Sequence, residues 1–153
     1  MPEALLDKLM ASQRFNQGFA TVEYAASAFV DLELHAKPGR GNVDVVAFEK
    51  EELERLEMPP AIAMRHRTPH FQHIFSGGGY AAAYYSYLWS EVLDADGFEA
   101  FEETGDIFDP GLAARLLDCV YSAGNLRDPE TAYAKFRGRP PEPGALMRKR
   151  GFG

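Results

Sequence analysis

The stretch HIFSGGGYAAAYYSYLWSEVLDA, residues 73–95, decides the fold because a run of glycines gives way within it to a helical pattern. Gly77, Gly78 and Gly79 tolerate positive φ and indicate a hinge-like loop. Residues 80–95, which follow, are rich in alanine, leucine and aromatic side chains. The sequence therefore predicts a glycine-rich loop that leads into a helix.

Helix signals recur upstream and downstream of this stretch. Upstream, the spacing of apolar residues predicts helices that begin at Pro2, over residues 19–36 and over residues 48–57. Downstream, helix starts are predicted at Asp109-Pro110, Asp128-Pro129 and Glu142-Pro143, and helix stops at Gly124, Gly138 and Gly151. Residues 37–42 predict a loop, and no alternating pattern extends beyond residues 43–46. We therefore predict an all-α fold, an irregular multi-helix domain with a glycine-rich loop before a tyrosine-bearing helix.

Length and composition predict one globular domain over residues 1–153, since 46% of the residues are hydrophobic and 25% are charged. A net charge of −7 argues against a generic nucleic-acid binder. No apolar run reaches the ~18 residues of a membrane span, and the first residues lack a secretory signal. A lone cysteine, Cys119, cannot form an internal disulfide, so we expect a cytoplasmic location.

The end of the chain is basic. A solvated face with cations near helix ends is the favoured interpretation, and a site for phosphate or an anionic partner is the alternative. The bases are Lys135, Arg137, Arg139, Arg148, Lys149 and Arg150, against one acid, Glu142.

Three histidines lie close together upstream of the glycines, at His66, His70 and His73. The spacing of four between His66 and His70 allows zinc binding on one helix face. However, Pro69 disfavours a shared helix, and the cation of Arg67 is unfavourable beside a metal. A hydrogen-bonded loop is therefore favoured over a zinc site.

Tyrosines follow the glycines at helical spacing. If residues 80–91 form a helix, Tyr80, Tyr84, Tyr87 and Glu91 fall within a sector of roughly 60°. Phenols donate hydrogen bonds at neutral pH, so a row of them can stabilise a carbonyl oxygen that gains negative charge. Core tyrosines with satisfied hydroxyls are the alternative, and spacing alone favours it.

Other reactive side chains have simpler interpretations. Cys119 is predicted to be an inert buried thiol on a helix. The carboxylates of residues 48–57 are predicted to form a solvated face, and His35 is predicted to interact with a helix C-terminus.

The segment HFQHIFSGGGYAAAYYSYLWSEVLDADGFEAF resembles the C-terminal region of the thimet oligopeptidase family of zinc metallopeptidases, especially its bacterial peptidyl-dipeptidase and oligopeptidase A branch. The resemblance extends over the whole chain. FNQGFATVEYAASAFVDLELHA is similar to the family's long helix after the zinc site, and YSAGNLRDPETAYAKFRGRPPEPGALMRKRGF is similar to its closing helices.

The resemblance implies a role for each part of the central stretch. The glycine-rich loop and the next helix would cover a cleft opposite zinc. His73 would help to hold the substrate backbone, and Tyr87 would stabilise the oxyanion. Tyr80 and Tyr84 match positions of substrate contact and catalytic support, and Gly77, Gly78 and Gly79 would bind substrate through the backbone. Tyr85 has no such role.

The chain also departs from the family pattern, because the zinc-binding sequence H-E-x-x-H is absent and no H-E dipeptide occurs. The resemblance therefore implies roughly the last fifth of an enzyme in which zinc is held upstream. We expect no zinc ligands and no peptidase activity from this chain alone. Its expected partners are short peptide substrates, the missing N-terminal zinc-binding portion and, through exposed apolar surface, other copies of itself. A non-enzymatic peptide-binding module, or a half-enzyme that needs a separate chain, is the alternative.

Overall fold

A computed structural model describes residues 1–38 and 41–152, and within these ranges the fold is all-α with no strand, as predicted. None of the helices in these ranges has both the length and the apolar character that a membrane crossing requires. Two 3-10 turns, Thr68–His70 and Gln72–Phe75, and one π-helical turn, Leu117–Tyr121, accompany the α-helices. The α-helices are α1 (Glu3–Gln13), α2 (Gln17–Ala36), α3 (Val45–Arg55), α4 (Ser86–Thr104), α5 (Pro110–Leu116), α6 (Pro129–Arg137) and α7 (Gly144–Arg150).

The chain divides into two compact units, Met1–Leu88 and Trp89–Gly153. The expectation of one domain over residues 1–153 stays a prediction. Gly39 and Arg40, in the loop predicted over residues 37–42, lie outside the described residues.

The first unit has a small apolar core that is closed by the two 3-10 turns. Phe71, which lies between these turns, and Ile74 of the second turn are 2% and 0% exposed. They pack with Val30 of α2, Phe48 of α3 and Met64. The irregular segment of residues 68–75 therefore contributes side chains to the core and is not a surface loop.

Helix α2 is where the sequence predicts it, and Ala26 and Val30, two residues of its apolar spacing, are buried at 2% and 0% exposure. Phe19 and Phe29, which share this apolar spacing, are each 44% exposed. The fully buried side chains are Ser27, Val30 and Asp31. Two polar residues therefore lie on the inner face of this helix, and each needs a hydrogen-bond partner there.

Helix α3 begins three residues earlier than predicted, because Asp44 caps it by accepting hydrogen bonds from the N–H groups of Val46 and Ala47 at 3.1 and 3.0 Å. The prediction of a solvated carboxylate face is wrong at Glu49, which is buried. Its Oε2 accepts hydrogen bonds from the main-chain N–H and the hydroxyl of Thr68, at 2.6 and 2.8 Å, and its Oε1 pairs with Arg67.

The helix predicted over residues 80–95 begins only at Ser86. Ala82 has φ of 56°, in the left-handed region, and such a residue cannot lie inside a right-handed helix. Tyr80 and Tyr84 therefore lie in turns before α4, and Tyr87 alone of the three belongs to the helix. The single helical face of tyrosines that we projected is wrong.

In the second unit the predicted helix starts at Asp109-Pro110 and Asp128-Pro129 and the predicted stops at Gly138 and Gly151 are confirmed. The π-helical turn ends at Tyr121, before the predicted stop at Gly124, and α7 begins at Gly144, after Pro143. Asp109 caps α5 by accepting from the N–H of Leu112 at 2.6 Å, and Asp128 caps α6 by accepting from the N–H of Thr131 at 3.0 Å. Gly138 ends α6 with φ of 83°. These local rules work because a cap satisfies the free main-chain groups of its own helix end.

The second unit has its own core, in which the predicted burial of Cys119 is confirmed. This thiol packs with Ala100 of α4, Leu112 of α5 and Phe136 of α6.

The basic end of the chain has cations near helix C-termini, as expected, since Lys135 and Arg137 lie in the last turn of α6 and the residues Arg148, Lys149 and Arg150 in that of α7. It is a solvated face only in part, because five of its six bases pair with acids of α4. Arg137 is only 6% exposed and bonds Glu103 at 2.6 and 2.7 Å. The other pairs are Arg139 with Asp96, Arg148 with Glu99, Lys149 with Asp94 and Arg150 with Glu91.

Asp96 is the fully buried centre of this charge network. Its Oδ2 accepts a hydrogen bond from the Tyr133 hydroxyl at 2.6 Å, and its Oδ1 accepts one from Arg139 at 2.5 Å. Burial and the hydrogen bond to Asp96 raise the pKa of Tyr133 well above its usual range. The neutral phenol therefore contributes to stability below the unfolded-state pKa, and this contribution is lost as pH rises towards the folded-state pKa.

We expect Tyr133→Phe to lower the free energy of unfolding at neutral pH by about 1–3 kcal/mol, because a buried carboxylate loses a donor. The difference from the wild type should shrink above about pH 10, where the tyrosine of the unfolded chain ionises. Urea-induced unfolding over a pH series measures both effects. Tyr121→Phe, at a residue that is 71% exposed, is the matched control. A difference that stays constant with pH would contradict the assignment.

Candidate functional site

Seven aromatic rings of the first unit form one cluster, with neighbouring ring centroids 4.9 to 6.1 Å apart. Most of them lie between Phe71 and Tyr87, in the segment that includes the second 3-10 turn and ends in the first turn of α4. We call this group the aromatic cluster, and its members are Tyr24, His66, Phe71, His73, Tyr80, Tyr84 and Tyr87.

The two residues predicted to be catalytic lie together in this cluster. The Tyr87 hydroxyl is 3.2 Å from Nε2 of His73, within hydrogen-bond distance. Tyr87 is 48% exposed and His73 is half-buried. When the phenol oxygen accepts the N–H of the imidazole, its own O–H stays free to donate, and a donor aimed at an oxygen atom stabilises negative charge on it.

Tyr80 lies against the other side of His73. The two ring centroids are 5.0 Å apart, with the rings nearly perpendicular at 85°, and Tyr80 is 46% exposed. Edge-to-face packing of this kind orients an imidazole ring without using its nitrogen atoms. His73 is thus held between two exposed tyrosines, Tyr80 and Tyr87.

Tyr84 occupies the inner part of the cluster. Its ring stacks on Tyr24 at 5.2 Å and meets Phe71 edge-on at 4.9 Å. Burial is the main cause that raises the pKa of Tyr84, and the neighbouring Tyr87 adds to this effect. Tyr84 therefore stays neutral at physiological pH and packs the base on which the exposed members rest.

The three glycines lie on the exposed side of the segment. Gly77 has φ of 140°, and its carbonyl accepts a hydrogen bond from the N–H of Tyr80 at 2.9 Å, which closes a turn. A Cβ atom added at Gly77, Gly78 or Gly79 would meet nothing within 4 Å. The backbone of this turn therefore faces open space, where a ligand can approach it closely.

The upstream histidines do not join His73 in a metal site. His66 stacks on Phe71, with ring centroids 4.9 Å apart, and His70 is exposed at the end of the first 3-10 turn. Across residues 1–38 and 41–152, no group of three or more His, Cys, Asp or Glu side chains is placed to hold a metal ion. The described side chains therefore do not fit a zinc site.

Sequence reasoning missed two residues of α2 that hold the cluster. The Tyr24 hydroxyl donates to the main-chain carbonyl of Tyr84 at 3.2 Å, and the Asp31 carboxylate accepts from the N–H of Tyr84 at 2.9 Å. Tyr24 and Asp31 are seven residues apart, two turns along one helix face. This spacing places both side chains on one face of α2. We predicted the helix from its apolar residues and overlooked this polar pair.

Comparison with known proteins shows the family. The sequence model of Peptidase family M3 matches residues 1–152, and the chain belongs to this family. Dipeptidyl carboxypeptidase of Salmonella typhimurium is 35% identical over 99% of this chain, and oligopeptidase A of Escherichia coli is 36% identical over 99%. Oligopeptidase A of Haemophilus influenzae is 50% identical over 56% of the chain. The resemblance stated from the sequence is thereby confirmed.

The chain spans about a fifth of the length of the curated relatives it matches, since the aligned part is 22% of both the Salmonella typhimurium and the Escherichia coli protein.

We expect Tyr87→Phe to shift the imidazole nitrogen resonances of His73, because the hydrogen bond between them is lost. Since this bond is exposed, the free energy of unfolding should change by about 1 kcal/mol or less. NMR of the ¹⁵N-labelled chain measures the shift. Tyr85→Phe, at an equally exposed tyrosine, should leave His73 unchanged. Equal shifts in the two variants would contradict the observed pairing.

Proposed function

We propose that this chain supplies the substrate-binding and oxyanion-stabilising side of an M3-family zinc metallopeptidase that hydrolyses short peptides, as a peptidyl-dipeptidase or an oligopeptidase. The observation that carries the proposal is the pairing of the Tyr87 hydroxyl with His73 Nε2 at an exposed position of the chain. Membership of Peptidase family M3 supports the reaction class.

The proposed chemistry uses hydrogen-bond donors of this chain. Attack on a peptide bond places negative charge on the carbonyl oxygen, and a prearranged donor stabilises that charge more than it stabilises the ground state. Tyr87 donates to this oxygen and His73 supports it. Tyr80 and Tyr84 contact the peptide and support the site, and the backbone of the turn at Gly77, Gly78 and Gly79 accommodates the peptide main chain.

Zinc belongs to this proposal only at the level of the complete enzyme. The described side chains offer no site for it, and the 153 residues contain no H-E dipeptide. We therefore assign the zinc ligands to polypeptide outside these 153 residues, and we propose that this chain by itself has no peptidase activity.

In a complete enzyme that contains this chain, we expect Tyr87→Phe to lower kcat by about 10²–10³-fold with little change in KM, because the lost donor acts in the transition state. Tyr80→Phe and Tyr84→Phe should cost less. Steady-state hydrolysis of a short peptide measures these effects, and Tyr85→Phe is the control. An unchanged kcat for Tyr87→Phe would remove Tyr87 from this role.

The purified 153-residue chain should not hydrolyse short peptides, with or without added zinc. Activity should arise only when the chain is combined with a polypeptide that carries the zinc-binding portion of the family. Zinc-dependent hydrolysis by the chain alone would refute the proposal.

One observation favours a second candidate, a peptide-binding module without catalysis. Tyr80, Tyr87 and the glycine turn are all exposed, which suits contact with an extended peptide. Measurable affinity for a short peptide, without turnover in either the isolated chain or the combined one, would favour this candidate over the peptidase.

A further inference from the structure

Asp31 is a fully buried carboxylate that binds the main chain of a distant segment. Its Oδ1 accepts a hydrogen bond from the N–H of Ala82 at 3.1 Å, and its Oδ2 accepts one from the N–H of Tyr84 at 2.9 Å. These two residues lie 51 and 53 positions further along the chain. Both oxygens of one side chain therefore hold the turn that leads into α4.

His35 extends this contact by one helical turn. Its Nδ1 lies 2.8 Å from Oδ1 and 3.0 Å from the main-chain oxygen of Asp31, both of which accept a hydrogen bond when Nδ1 bears the hydrogen, and 3.4 Å from the main-chain nitrogen of Ala82. The His35 ring also packs against Phe75, with centroids 5.8 Å apart. The end of α2 thus contacts the segment on both sides of the glycines, at Phe75 before them and at Ala82 after them.

The turn at Ala82, which Asp31 holds, is unfavourable for the backbone by itself. Ala82 has φ of 56°, and a left-handed conformation is sterically unfavourable for an L-residue because its Cβ approaches the following carbonyl oxygen. Hydrogen bonds from main-chain N–H groups to an ionised carboxylate are among the stronger ones in proteins and can offset this cost.

The turn also determines where α4 begins. The N–H of Ser86 donates to the carbonyl of Ala83 at 3.0 Å, and the N–H of Tyr87 donates to the carbonyl of Tyr84 at 3.4 Å. Fixing the backbone at Tyr84 therefore fixes the first turn of the helix, which carries Tyr87. Its hydroxyl is then held next to His73.

We propose that Asp31 is a positioning residue: its buried carboxylate holds the backbone of Ala82 and Tyr84 and thereby sets the place of the Tyr87 hydroxyl beside His73. Asp31 acts through the backbone and touches no substrate. The effect of this residue on catalysis rests on the proposed function, whereas its effect on the turn does not.

Asp31→Asn is a sharp test because it keeps the shape of the side chain and replaces one carboxylate oxygen with an NH₂ group. One of the two main-chain N–H groups must then face an NH₂ group, which cannot accept its hydrogen bond. Glu49→Gln is the matched control: Glu49 is also a buried carboxylate of the first unit, but it accepts from the main-chain N–H of Thr68.

The first measurement is amide hydrogen exchange of the ¹⁵N-labelled 153-residue chain. Asp31→Asn should speed exchange at Ala82 and Tyr84 by about tenfold or more and should shift the imidazole signals of His73. Glu49→Gln should speed exchange at Thr68 and leave Ala82 and Tyr84 as in the wild type. Equal exchange at Ala82 and Tyr84 in the wild type and in Asp31→Asn would overturn the proposal.

A second variant keeps the test decisive if Asp31→Asn does not fold. In Asp31→Asn/Ala82→Gly the left-handed position is occupied by glycine, which adopts it without the steric cost. We expect this variant to fold and to recover part of the wild-type signals of His73. If the double variant remains unfolded, Asp31 is required for the fold as a whole, and the positioning role is rejected.

The third measurement uses a complete enzyme that contains the chain. Asp31→Asn should lower kcat by about 10- to 100-fold with little change in KM, as expected for a misplaced catalytic group. If Tyr87→Phe lowers kcat and Asp31→Asn does not, the positioning role is overturned. If Tyr87→Phe leaves kcat unchanged, the proposed function fails, and exchange at Ala82 and Tyr84 with the His73 signals decides the role of Asp31.

Discussion

Two buried carboxylates, Asp31 of α2 and Glu49 of α3, hold the irregular segment that carries the candidate site. This segment lacks a continuous ladder of backbone hydrogen bonds, so its buried N–H groups need acceptors from elsewhere. Glu49 accepts from Thr68 at the beginning of the segment, and Asp31 accepts from Ala82 and Tyr84 at its end. A buried charge is costly unless it is hydrogen-bonded, and here both carboxylates are. The position of the aromatic cluster depends on these contacts.

Within the aromatic cluster, one set of side chains packs the interior and another is exposed beside His73. Tyr84 is fixed through its N–H, its carbonyl and its ring, and its burial raises the pKa of its hydroxyl. Tyr80 and Tyr87 contact His73 from two sides and are about half exposed. A rigid inner tyrosine therefore supports two outer ones. This arrangement suits a site whose donors must be in place before charge develops.

The features that sequence reasoning predicted well depend on neighbouring residues. Asp109 and Asp128 cap their helices, and Gly138 ends one, because each acts on main-chain groups within four residues. The start of α4 could not be predicted in this way. Ala82 favours a right-handed conformation locally, and a carboxylate 51 residues away, that of Asp31, stabilises the left-handed one. Family resemblance implied a site role for both His73 and Tyr87, but neither it nor the helical spacing, which assumed a helix that is absent, predicted that the two side chains pair.

The rings that contact His73 are those of three phenols, Tyr80, Tyr84 and Tyr87. Arg65, the cation that affects the pKa of Tyr84, lies 3.6 Å from the carboxylate of Glu23. Tyrosine hydroxyls and an imidazole are suited to a transition state in which charge appears on a substrate oxygen, because they bind weakly before that charge forms. A strong permanent cation would bind the ground state of an anionic ligand as well. The chemistry of these side chains therefore suits the oxyanion-stabilising role that we propose for this chain.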